Sequence, residues 1–100
     1  MIAKIIIKRR FIEGKERQIM SLLNEIRARA MNQPGYISGE TLTLSEEPQV
    51  LMVIGTWQDM ESWYNWKQNS TRQTLEKMLE IYQEGSTEYQ EYTLGAFIED

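Results

Sequence analysis

Residues 50–66, VLMVIGTWQDMESWYNW (Val50–Trp66), run from an unbroken apolar segment into a cluster of large rings. Val50–Trp57 is apolar at nearly every position. That predicts a strand buried on both faces, since a half-wetted antiparallel strand alternates apolar with polar. Asp59 is suited to cap a short helix from Met60 to about Asn69, in which Met60, Trp63 and Lys67 recur at helical spacing. Trp57, Trp63, Tyr64 and Trp66 include all three tryptophans of the chain. There is no histidine and no cysteine, so imidazole and thiolate chemistry are excluded. Rings at this density without those groups point to an apolar, planar ligand.

The flanking sequence supplies the remaining elements. Residues 2–11 (IAKIIIKRRF) predict a strand with Ile5, Ile7 and Phe11 on one face. Lys8, Arg9 and Arg10 are the one basic run and read as a solvated strand edge. After Gly14, Lys15–Ala30 places Ile19, Leu22, Leu23, Ile26 and Ala30 on one helical stripe, with Arg17, Glu25, Arg27 and Arg29 mostly opposite. Asn32-Gln33-Pro34-Gly35 stops that helix. Tyr36–Leu44 reads as a strand in which Gly39 permits a bulge or a close contact. Ser45-Glu46-Glu47-Pro48 reads as a hairpin connection of several residues. Ser70-Thr71-Arg72-Gln73 offers a capping box. It opens a helix with Leu75, Met78, Leu79 and Tyr82 on one face and Gly85 as its stop. Thr87–Ile98 completes the set as a strand. The order β-α-β-β-α-α-β predicts an α+β, ferredoxin-like fold: a four-stranded antiparallel sheet with two right-handed crossovers and helices on one face.

At 100 residues the chain is expected to be one domain, spanning 1–100. Its net charge of -4 argues against nucleic acid as a partner, because phosphate contacts need a basic face. No apolar run approaches the roughly 20 residues that span a bilayer, so no membrane partner is expected. The apolar stretch in MIAKIIIKRRF is too short for a signal peptide, and a cytoplasmic protein is expected. Helices on one face would leave the other apolar face of the sheet bare. A second copy would cover it, giving a homodimer with a cavity between each sheet and its helices.

PGYISGETL (Pro34–Leu42), VLMVIGTW (Val50–Trp57) and DMESWYNW (Asp59–Trp66) resemble the antibiotic biosynthesis monooxygenase family, and the resemblance covers nearly the whole chain. It implies a ferredoxin-like domain paired into a dimeric α+β barrel. It further implies cofactor-independent oxygenation of a small planar aromatic or quinol-type substrate. The alternative is a non-catalytic barrel that binds or senses a small apolar ligand. A haem-degrading branch of the family carries an asparagine in the first strand, a tryptophan before the last long helix and a haem-ligating histidine beyond it. Here Trp66 matches the tryptophan, but Ile7 and Glu76 stand near the other two positions, so that activity is not expected. The resemblance points to Trp66 as a cavity-wall residue, and Asn65 and Arg72, polar groups close to the rings in sequence, join it as candidate catalytic residues. Tyr64, Trp57 and Tyr36 would bind substrate, Trp63 would serve the core or a dimer contact, and Tyr89 would reach the cavity or its rim. No cofactor and no metal are expected. Asp59 and Glu61 point different ways at a helix start and form no acid–base pair.

Overall fold

The computed structural model describes residues 1–95. Its elements are β1 (Ala3–Arg10), α1 (Glu16–Ala30), β2 (Tyr36–Leu44), β3 (Glu47–Trp57), α2 (Met60–Lys67), α3 (Ser70–Glu80) and β4 (Glu88–Thr93). The strands form one sheet in the order β2-β3-β1-β4, with every neighbouring pair antiparallel. This is the α+β, ferredoxin-like arrangement that the element order predicts. Along β1, burial alternates, so Ala3, Ile5, Ile7 and Arg9 face inward. The register sets them beside Trp57, Gly55, Val53 and Leu51 of β3, which share that face.

Two apolar clusters fill the space between this face and the helices. Ala3, Ile5, Ile7 and Trp57 pack with Ala30 of α1 and with Trp63 and Trp66 of α2. Phe11, Ile19 and Leu79 form the second, and Ile26 touches both.

Several boundaries differ from the sequence reading for local reasons. β3 starts at Glu47, so the hairpin connection shrinks to Ser45-Glu46. Pro48 is tolerated because it lies in the register irregularity between Thr43 and Leu44, where its missing N–H breaks no ladder bond. The bulge of β2 falls at Ile37, between the paired Tyr36 and Ser38, and Gly39 serves a close contact instead. A side chain there would press on the Tyr36 hydroxyl, 2.8 Å from a Cβ.

The cap of α3 is Asn69, not Ser70. The Asn69 side chain accepts from the backbone N–H groups of Thr71 at 2.9 Å and Arg72 at 3.2 Å. That requirement ends α2 at Lys67, short of the predicted Asn69. α3 closes at Glu80, with Tyr82 in a following turn. β4 ends at Thr93, and residues 96–98 of the predicted last strand lie outside the described residues.

Gly35 joins α1 to β2 at φ 85°, a left-handed conformation that glycine alone adopts freely. Its carbonyl accepts from Gln58 N–H at 2.7 Å, and a Cβ would collide with the Ser62 side chain. The turn therefore passes directly beneath the start of α2. Asp59 caps that helix as predicted, accepting from Ser62 N–H at 2.8 Å. Chiefly this backbone hydrogen bond, with one from the Ser62 side chain, holds the Asp59 carboxyl below its ordinary value.

Candidate functional site

Between the sheet and the helices lies a cavity of about 80 Å³, room for several water-sized groups. Its floor is Ile5, Ile7, Arg9, Val53, Gly55 and Trp57, supplied by the inward faces of β1 and β3. The walls come from Leu23, Ile26 and Ala30 of α1, Trp63 and Trp66 of α2, Arg72 of α3 and Tyr36 of β2. Most of this surface is apolar, and its rings form a connected series that continues to Tyr89, which packs behind Trp63 and is not part of the lining. Tyr36 meets Trp57 edge-on at 5.3 Å between centroids, Trp57 lies 6.1 Å from Trp63, and Trp63 lies 6.2 Å from Tyr89. Such offset and edge contacts fix ring orientation beyond what burial alone does.

Helix periodicity decides which of the α2 residues belong to the cavity. Trp63 and Trp66 are three positions apart, share the inward face and are buried. Tyr64 and Asn65 lie between them on the outward face, are exposed, and do not line the cavity. Four of the six anticipated site residues are thus brought together: Trp57, Tyr36, Trp66 and Arg72. The other two, Asn65 and Tyr64, are displaced by the turn of the helix.

Arg72, which an N-terminal helical turn would ordinarily leave in water, is only 4% exposed. Its Nη2 donates to the Tyr89 hydroxyl at 2.9 Å and pairs with Glu76 at 3.0 Å, while Nη1 donates to the Lys67 carbonyl at 3.3 Å. The guanidinium also stacks 5.4 Å from the Trp63 ring and 5.5 Å from that of Tyr89. Arg9 reaches Glu76 from the sheet, with Nη2 to Oε2 at 2.6 Å. Arg9 was hidden in the basic run Lys8-Arg9-Arg10. The solvated-edge reading therefore fails at Arg9, whose parity with Ile5 and Ile7 turns it inward.

Glu91 of β4 ties α2 to the sheet edge. It accepts from Trp63 Nε1 at 2.7 Å and Lys67 Nζ at 3.0 Å, with the Tyr64 hydroxyl at 3.4 Å. The Trp63 hydrogen bond is the largest influence lowering the Glu91 carboxyl below its ordinary value. Lys67 and Tyr64 add to it, and partial desolvation opposes it. Lys67 Nζ in turn sits 4.5 Å above the Tyr89 ring. Among the described residues, no group of three or more acidic side chains could hold a metal ion.

A model of the antibiotic biosynthesis monooxygenase family matches residues 2–91. No curated protein sequence matches the chain. Among solved structures, a conserved protein from Methanosarcina mazei Go1 superposes with a TM-score of 0.86 at 17% identity, covering 92% of this chain and 91% of that one. SnoaB, a cofactor-independent oxygenase from Streptomyces nogalater, superposes with a TM-score of 0.81 at 14% identity over 100% of both chains. At these identities the likeness is one of fold.

Proposed function

The chain belongs to the antibiotic biosynthesis monooxygenase family, and from that premise we propose that it is a cofactor-independent monooxygenase acting on a small planar aromatic or quinol-type substrate. The observation that carries this reading is a ring-walled, mostly apolar cavity into which two buried arginine forks, Arg72 and Arg9, reach. In the proposed reaction the substrate is its own reductant. A ring methylene made acidic by conjugation loses a proton to water, and the resulting carbanion adds dioxygen. One oxygen atom stays as a carbonyl, and the other leaves as water with both methylene hydrogens. The protein then needs to orient the ring and stabilise negative charge on the conjugated oxygen. Trp66, Trp57 and Tyr36 supply the slot, whose 80 Å³ takes one edge of the ring system while the rest lies in its open mouth, and Arg72 supplies the charge.

The proposed working unit is a cytoplasmic homodimer. By register and alternation, the sheet face away from the helices carries Ile6, Met52, Ile54 and Leu42 as neighbours across three strands. An apolar patch of this kind is what a second copy would cover. No helix among the described residues is long and apolar enough to cross a membrane.

A second reading, a non-catalytic ligand-binding or sensing module, draws on the lack of any imidazole or thiol base in the chain. Oxygen uptake with anthrone and a hydroxylated anthrone, read together with formation of the anthraquinone, separates the two. The oxygenase reading expects uptake above the spontaneous rate, falling at least tenfold in Trp66→Phe while the oligomeric state is unchanged. No uptake across the panel, with tight binding of an unreactive aromatic, would leave the binding module.

A further inference from the structure

Arg9, Arg72 and Glu76 are charged groups held inside the protein, at 4%, 4% and 6% exposure. Both guanidiniums converge on one carboxylate oxygen, Glu76 Oε2, at 2.6 and 3.0 Å. Glu76 Oε1 and the Nε atoms of both arginines have no hydrogen-bond partner among the described residues. Two cations against one anion leave one positive charge uncompensated. The surrounding charges do not cancel it. Lys67 is paired with Glu91, and Arg27 and Glu40, of opposite sign, are both exposed where they line the cavity. An unbalanced charge away from water is costly, and an anion that enters beside it removes that cost.

Arg9 and Arg72 both line the ring-walled cavity. We infer that this cavity takes a planar aromatic ligand bearing one anionic oxygen group, and that Arg9 is a second binding residue beside Arg72, with Glu76 bracing the two forks. Arg9 enters from β1 and Arg72 from α3, so an oxygen group placed between them is reached by donors from the sheet and from the helical layer. The charge count favours a monoanion, since a dianion would leave an excess negative charge. Carboxylate and ionised phenol share the required chemistry. The inference rests on the cavity being a ligand site and is independent of oxygen turnover.

Calorimetric titration of the wild-type protein with 1-naphthoate, 1-naphthol and 1-naphthalenemethanol at neutral pH tests it. Naphthoate is expected to bind at least tenfold tighter than naphthalenemethanol, the gain of one charge-assisted contact. If the natural group is a phenolate, naphthol instead shows the preference, and its affinity rises with pH as it ionises. Arg9→Gln and Arg72→Gln, checked for folding by near-ultraviolet dichroism, should each erase the preference, so that naphthoate and naphthalenemethanol bind within twofold of one another in the same variant. Equal binding of all three compounds by the wild-type protein overturns the inference whether or not the variants fold. So does an undiminished preference in folded Arg9→Gln. Oxygen uptake is not read, so failure of the oxygenase proposal leaves a distinct result.

Discussion

Replacing Glu91 with leucine removes the acceptor that holds the α2 indole to β4. Trp63 is 1% exposed, so its N–H has no water to turn to. Stranding a buried donor costs about 1–3 kcal/mol. The Lys67 contact, whose two side chains are 33% and 24% exposed, adds at most about 0.5 kcal/mol. The 3.4 Å approach of Tyr64 adds nothing measurable. The total is about 2 kcal/mol, or roughly 8–16 °C in Tm for a domain of this size. Glu91→Gln keeps a neutral oxygen for Trp63 and should lose about half as much. The pH dependence gives an independent check of the same contact. The Glu91 carboxyl is lowered below its ordinary 4.5, so its contribution is complete above that value and is lost as pH falls through the folded-state value. Wild type and Glu91→Gln should therefore converge in urea midpoint on acidification through that window. Equal stability of Glu91→Leu and wild type at pH 7, or a wild-type advantage over Glu91→Gln that persists well below the folded value, would refute the role given to this carboxylate.

Ile54→Lys, on the sheet face away from the helices, should convert a dimer into a monomer in light scattering while the helical dichroism is retained; a wild-type monomer at micromolar concentration would end the dimer proposal. Gly35→Ala should cost roughly 2–4 kcal/mol in chemical denaturation, because it combines a left-handed backbone with overlap on Ser62; a loss below about 1 kcal/mol would show that the turn can move away from α2. Asn69→Ala should cost about 1 kcal/mol through loss of the α3 cap, whereas Ser70→Ala should be nearly neutral; the reverse ranking would restore Ser70 as the cap.

The fold was legible because its signals are local and redundant. The stripe Ile19–Ala30, the Asp59 cap and the stop at Pro34-Gly35 each act within a few residues. Boundaries failed where two local signals competed, as when Asn69 took the cap that Ser70 also offered. The cavity wall was legible in part. Trp66 was found through family resemblance and Trp57 and Tyr36 through their strand positions, but Arg72, Tyr64 and Asn65 were grouped with them by nearness in sequence, which a helix does not preserve. Arg9 and Glu76 escaped for a different reason. Inward parity for a charged residue is informative only if a partner is known to meet it, and that partner lies 67 positions away. Long-range pairing of buried charge leaves no trace in periodicity.

The three tryptophans are gathered around one cavity, and this gives the protein a built-in optical reporter. Trp57, Trp63 and Trp66 all border the same cavity, and no indole lies elsewhere to dilute its signal. The Trp57 and Trp63 ring centroids are 6.1 Å apart, close enough for excitation to pass between them before emission. An occupant that quenches one indole would therefore dim its neighbour as well. The emission spectrum of the unlabelled protein is, in effect, a spectrum of its cavity.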